Sequence, residues 1–558
     1  MIGVPYIQRR VEFGAEAAAG ERIEATGEVF SAVPLRFTTP AGLTDLGEGR
    51  TRWRYADRVG CGMSEVLRQL GRVDPGSSGR RAASVLYSVF PLQREVPPRE
   101  PSRGRRRGVM ARSSASDSRR GGFEAGDGRL DGWLHPDFMP VAKALRTQLR
   151  RYAGGAAVCV YHRGECVVDL WGGARNRAGA PWRRDTMAPS FSTTKGVAST
   201  LVHIMVDRGL LDYDALVSDY WPEFAQAGKE AITLRQVMAH QSGLYHIRQM
   251  IDHADRMLDW EHMVMAIERA EPIHPPGERT GYHGLTYGFL VGEVLQRVTG
   301  RSFSQLVEEE LASPLDLDGF YVGAPDEVLD RAAELMWPRA ADRLRSMPAG
   351  PTARWLGTFA ETSNDWIRGA LGSLGMDFDL ASLVDALAPR GISGFEFDSG
   401  DTLRAAIPAG NGLFTARSLA RMYAALAGGG ELDGVQLISS ETLARATERQ
   451  GRTPSKDVLP FDMRWRLGYH GVATTRGSPY HAFGHFGFGG SGAWADPTRE
   501  LAVSLIVNCG MGTPFGDTRT ARISGAALAS ALAREPLRRG AAATRRRRGS
   551  REPLAQRS

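Results

Sequence analysis

Two strand-like hairpins near opposite ends of a long helical stretch constrain the fold of this 558-residue chain more than any other feature. The first runs Ala156 to Tyr161 and Cys166 to Trp171, turning through His162-Arg163-Gly164-Glu165. The second pairs Ala493-Trp494-Ala495 with Leu501 to Val507 across Asp496-Pro497-Thr498-Arg499. Turn residues flanked by β-branched, aromatic and small apolar residues are hairpin signals. Strands at both ends with helices between predict an α/β (α+β) fold, in which one antiparallel sheet is assembled from N- and C-terminal segments. The sheet is expected from about residues 150–190 and 480–530, with a helical region over about 196–480. A further helix is expected over 136–151, where Phe138, Val141, Ala144, Leu145 and Leu149 recur at helical spacing.

Composition bears on the ends of the chain. Residues 1–126 show weak apolar periodicity and close on Pro97-Pro98-Arg99-Glu100-Pro101-Ser102-Arg103-Gly104-Arg105-Arg106-Arg107 and a Ser/Arg tract, a composition too polar to offset ordering entropy. This segment is expected to be largely disordered, with Met110 as an alternative start. Residues 531–558 read as a helix end and an Arg-rich tail. The net charge of +7 is concentrated: residues 531–558 carry +7 and residues 99–120 carry +6, leaving the remainder at −6. The basic balance therefore belongs to tails, and a nucleic-acid partner is not expected for the body, residues 127–530. Four cysteines give no disulfide framework and no metal spacing. With neither a signal peptide nor an 18-residue apolar run, the expectation is a cytoplasmic protein without a membrane span.

The chemistry centres on Pro189-Ser190-Phe191-Ser192-Thr193-Thr194-Lys195-Gly196-Val197. Ser192 and Lys195 stand three residues apart where an apolar helix begins, so the amine can reach the hydroxyl. The start of a helix also favours negative charge developing near Ser192. Only four of the 70 basic residues are lysines, so arginine serves almost wherever a plain cation suffices. Arginine cannot act as a base, whereas a buried lysine can lose its proton and accept one from serine.

Three further stretches point toward that pair. Pro276-Gly277-Glu278-Arg279-Thr280-Gly281-Tyr282 runs into the apolar helix Phe289 to Val298, and a tyrosine on such a loop can hold its hydroxyl between nucleophile and leaving group. Tyr287 is expected to be a core aromatic. The glycine-dense His485-Phe486-Gly487-Phe488-Gly489-Gly490-Ser491-Gly492 can bring backbone N–H groups close to a ligand. His240-Gln241-Ser242-Gly243-Leu244 reads as scaffold.

Ser192-Thr193-Thr194-Lys195, His240-x-Ser242-Gly243-Leu244, Pro276-Gly277 with Tyr282, and His485-x-Gly487 resemble, in order, the motifs of the serine β-lactamase-like superfamily. The branch most resembled is the family VIII carboxylesterases, related to class C β-lactamases. Asp169-Leu170-Trp171-Gly172-Gly173, Tyr220-Trp221-Pro222-Glu223-Phe224 and Pro408-Ala409-Gly410-Asn411-Gly412 add to the likeness. The resemblance implies a β-lactamase/transpeptidase-like fold and an acyl-enzyme on Ser192. Lys195 and Tyr282 would handle protons, and the amides of Ser192 and Phe488 would form an oxyanion hole beside His485 and Gly487. Metal: none; cofactor: none.

Two departures bear on substrate. Tyr282-His283-Gly284 replaces the usual Tyr-x-Asn or Ser-x-Asn, and His485-Phe486-Gly487 replaces Lys-Thr-Gly. An unperturbed histidine is mostly neutral at pH 7, so both changes lean toward uncharged, small or short-chain carboxylic esters. β-Lactamase, D-alanyl-D-alanine peptidase and acyltransferase activities share the nucleophile and are the alternatives. The oligomeric state is not encoded in these motifs.

Overall fold

A computed structural model of the chain describes residues 128–336, 380–450, 455–459, 462–509 and 518–534. The expectations for residues 1–126, for Met110 and for the tail beyond Arg534 lie outside the described residues.

Seven strands form one antiparallel sheet: β1 (Asp131–Leu134), β2 (Gly155–His162), β3 (Glu165–Gly173), β4 (His470–Gly471), β5 (Phe483–Phe486), β6 (Gly492–Asp496) and β7 (Leu501–Val507), in the order β1-β3-β2-β7-β6-β5-β4. The first hairpin is β2–β3, closed by Arg163 and Gly164, both at positive φ (55° and 77°). That geometry matches the right-handed twist of the flanking strands. The second is β6–β7. The N- and C-terminal halves meet where β2 pairs with β7, with Val160 opposite Val503. Two edge strands extend the sheet beyond its expected limits: β1, mostly exposed, and the two-residue β4.

Both faces of the sheet centre are covered, so β7 reads Leu-Ala-Val-Ser-Leu-Ile-Val with every residue buried. Alternate residues part to opposite sides. Val158, Val160, Val503 and Leu505 pack under the helices α1 (Met139–Arg151) and α6 (Thr518–Arg534). Cys159, Tyr161, Ala502 and Ile506 face the main helical body. Burial of each such valine or leucine stabilises the fold by about 1.5–3 kcal/mol.

That body contains α2 (Thr194–Asp207), α3 (Thr286–Thr299), α4 (Leu380–Leu387) and α5 (Ala416–Ala427). All residues of α2 from Thr194 to Val206 are buried, as befits a helix apolar all round. It stops at Asp207, and Gly209 takes positive φ (72°) just beyond. Among the described residues no helix is long and apolar enough to cross a membrane.

Candidate active site

Ser192 sits in a 3₁₀ turn, Phe191–Thr193, that feeds directly into α2, one step earlier than the helical first turn expected from sequence. Phe191 adopts φ +47°, a left-handed conformation that costs a bulky residue about 1–3 kcal/mol. Its ring is wedged against Phe397 (5.0 Å between centroids) and Phe488 (5.6 Å), contacts that over-determine the turn.

Lys195 is fully buried. Its Nζ lies 3.0 Å from Ser192 Oγ and donates to the carbonyls of Gly284 (2.6 Å) and Ala409 (2.9 Å). Burial pushes the amine well below the usual lysine range. Tyr282 donates to Ser192 Oγ at 2.9 Å, and burial raises its phenol, the bond to Ser192 offsetting only part of that. Ser192, Lys195 and Tyr282 thus converge on one oxygen.

The loop that carries Tyr282 leaves a short strand, Arg279–Gly281, and enters α3. The tyrosine ring stacks on Trp465 (5.7 Å, 15° between planes) and meets His240 edge-on (5.3 Å). His240 accepts from the amide of His283 (3.2 Å) and receives the amide of Gly281 on its carbonyl (2.9 Å). Ser242 Oγ and His283 Nε2 are 2.6 Å apart. The His240-x-Ser242 segment is thus bonded to, and packed against, the Tyr282 loop. Tyr287 bonds Ser199 (2.7 Å) within the core.

His485 is buried on β5, with Nδ1 3.0 Å from the carbonyl of Phe486 and its ring stacked on Tyr282 (6.4 Å) and against His470 (4.7 Å). Burial, followed by His470 and Lys195, drives its pKa well below the ordinary histidine value, so the imidazole is neutral at pH 7. Gly487 passes so close to the Ser192 turn that a Cβ there would lie 2.2 Å from the carbonyl oxygen of Ser190. Only glycine permits that approach, which brings the Phe488 turn alongside Phe191 and Ser192. Among the described residues no group of three or more His, Cys, Asp or Glu could hold a metal ion.

Several contributors escaped sequence reasoning. Trp465 and the carbonyls of Gly284 and Ala409 complete the surroundings of Tyr282 and Lys195. The Pro408–Gly412 loop offered the one available signal: Asn411 donates to the carbonyls of Thr402 and Ala405 and accepts from the amide of Ile407, fixing the turn that presents Ala409. Leu387 was also invisible. A Cβ on Gly284 would lie 2.2 Å from Leu387 Cδ2 and 2.8 Å from the carbonyl oxygen of Ala386, so α4 fills the space an asparagine side chain would need.

A Ser-x-x-Lys pair with a converging tyrosine, set between an antiparallel sheet and a helical body, defines the class: a serine hydrolase of the β-lactamase fold. The Beta-lactamase family model matches residues 141–528, and the chain belongs to that family. It is 37% identical over 391 residues to the esterase/beta-lactamase LipL of Mycobacterium tuberculosis, a match covering 68% of this chain and 83% of that protein. It is 30% identical over 203 residues to the esterase EstB of Burkholderia gladioli, spanning 33% of this chain and 50% of EstB. Among solved structures it resembles a penicillin-binding protein homolog from Caulobacter crescentus (TM-score 0.58, 35% identity, 72% of this chain and 100% of that one). A family VIII carboxylesterase is similarly close (TM-score 0.57, 32% identity, 72% and 100%).

Proposed function

We propose that the chain hydrolyses uncharged carboxylic esters of small or short-chain substrates through an acyl-enzyme on Ser192, with residues 127–530 as the hydrolase unit. The observation that carries this reading is the bonding of Lys195. A neutral amine has two N–H groups and one lone pair, and the carbonyls of Gly284 and Ala409 take both N–H groups. The lone pair is left for the Ser192 hydroxyl 3.0 Å away.

Ser192 attacks the ester carbonyl as its proton passes to Lys195, forming the Ser192 O–C bond. Charge on the substrate oxygen is met by the amides of Ser192 and Phe488, beside Gly487 and His485. As the C–O bond to the alcohol breaks, Tyr282 gives its proton to the leaving oxygen and is reprotonated from Lys195. Water then attacks the acyl carbonyl and gives a proton to the same pair; as the Ser192 O–C bond breaks, that proton returns to Ser192 Oγ and the acid is released. The raised phenol suits this role, because Tyr282 stays protonated until the alcohol needs a proton.

Preference for uncharged esters is supported by two features. His485 is neutral where a lysine would attract a carboxylate, and Leu387 fills the space beyond Gly284. The second reading is β-lactam hydrolysis, favoured by the name of the 37% identical relative, an esterase/beta-lactamase. The test is turnover of p-nitrophenyl butyrate beside a chromogenic cephalosporin, with Ser192→Ala in parallel. Ester turnover lost in the variant is expected, with little cephalosporin turnover. Undiminished ester turnover in Ser192→Ala would sink the assignment, and a better rate on cephalosporin would favour the second reading.

A further inference from the structure

The turn that carries the Phe488 amide has little stiffness of its own. Gly489 and Gly490 sit at φ +102° and +107°, a conformation natural only to glycine, and glycine gives the backbone the most freedom to lose. Two internal bonds close the turn, from Gly487 N to the carbonyl of Ser491 (2.8 Å) and from Gly490 N to that of Gly487 (3.3 Å). Further fixing comes from the C-terminal helix α6. Arg519, buried at 3% exposure, donates to the carbonyls of Gly489 and Cys509, the latter at 2.8 Å, while its guanidinium lies over the Tyr152 ring at 5.2 Å. Thr520 donates to the carbonyl of Gly490 at 2.7 Å. The two consecutive glycine carbonyls are thus each held by a buried side chain from one end of one helix.

We propose that Arg519 and Thr520 are positioning residues for the oxyanion site. By fixing the Gly489 and Gly490 carbonyls they hold the Phe488 amide at the position the substrate oxygen takes in the tetrahedral intermediate, an inference that rests on the ester-hydrolase reading above. Preorganised donors are effective because they need no reorientation when charge develops. Arginine suits the task because its rigid planar fork holds the Gly489 and Cys509 carbonyls in a fixed relative geometry, which the freely rotating ammonium of a lysine does less well. Neither residue touches substrate; both act through the glycine turn.

The test compares wild type, Arg519→Met, Arg519→Lys and Thr520→Val as full chains, with Ser192→Ala as control. Active sites are counted by covalent fluorophosphonate labelling, so misfolded protein drops out of the rates. Per active site, kcat on p-nitrophenyl butyrate should fall roughly 10–100-fold in Arg519→Met while KM shifts by less than about threefold. Phenylboronic acid, which becomes a tetrahedral anion on a serine nucleophile, should bind more weakly by a similar factor. Arg519→Lys should recover part of the loss, and Thr520→Val should show the same pattern at smaller size. Unchanged kcat and boronate affinity in both Arg519→Met and Thr520→Val overturn the proposal, as does a rise in KM with kcat kept. Should Arg519→Met fail to fold, Thr520→Val decides by the same criterion. Failure of the underlying reading looks different: wild type then leaves the ester intact, or Ser192→Ala hydrolyses it undiminished. Boronate affinity, which needs the nucleophile and the amides but no particular ester, still judges the turn in the first of those cases.

Discussion

Lys195 and Lys229 are both fully buried, yet one meets two carbonyls and a serine hydroxyl and the other three carbonyls. Lys229 donates to three carbonyls, of Gln226 (2.7 Å), Glu268 (2.8 Å) and Ala270 (2.6 Å), which matches the three N–H groups of an ammonium. Burial lowers its pKa, but Glu230, Glu268 and Glu271 counter, and it settles at about 8, still charged at neutrality. Lys195 has two carbonyls and a serine, and burial pushes its amine much further down. Burial moves both amines down, and the carboxylates near Lys229 hold it back where Lys195 has none among the described residues.

Substituting each lysine breaks the comparison most sharply. Lys195→Met should lower kcat/KM on p-nitrophenyl butyrate by about 10³-fold, the middle of the range for a lost general base. Lys229→Met should leave the rate per labelled active site unchanged but strand buried carbonyls, each costing about 1–3 kcal/mol, so its denaturant midpoint should fall steeply. Comparable rate losses per active site in the two variants would erase the distinction drawn between them.

A smaller effect separates the pair by pH. Activity requires neutral Lys195, so kcat/KM should rise with pH through a limb lying well below the usual lysine range and then stay flat. Because the phenol of Tyr282 is raised, no alkaline fall is expected at the ordinary tyrosine pKa. Lys229 speaks through stability instead. Its folded pKa of about 8 lies below the ordinary lysine value of 10.5, so between those values the unfolded chain binds more protons and the wild type should gain stability relative to Lys229→Met as pH rises. A rate profile with its limb near pH 10 would contradict a neutral Lys195.

The smallest effect is acid lability around the site. Burial, opposed by hydrogen bonds to backbone carbonyls and aided by nearby cationic groups, lowers His283 to about 3 and His470 to about 4, from 6.5. Both are neutral in the fold, so the stability they share is present above 6.5 and is lost as pH falls toward those folded values. Chemical denaturation between pH 7 and pH 4 should show a falling midpoint; a constant one would mean these rings are not sealed from solvent.

The legible parts of the molecule were those encoded by neighbours in sequence. The β2–β3 and β6–β7 hairpins were readable from alternation and turn residues, and the helix over Met139–Arg151 from its period. The edge strand β1 was not, because its residues are largely exposed and carry no apolar alternation. Ser192 and Lys195 announced each other through a three-residue spacing, and Tyr282 through its place between a turn and a helix. The carbonyls of Gly284 and Ala409 could not be found that way, since every residue carries a carbonyl and nothing in the chain marks which one lies beside an amine. Arg519 was hidden among many arginines, and Trp465 among aromatics that read equally well as core.

The sequence by itself marked out the serine, amine and phenol proposed to carry the chemistry, because a helix start and a loop before a helix place side chains by local geometry. The tertiary structure decided their protonation. The base role proposed for Lys195 depends on the 280s and 400s loops, which bury it and take two of its N–H groups, leaving one lone pair facing Ser192.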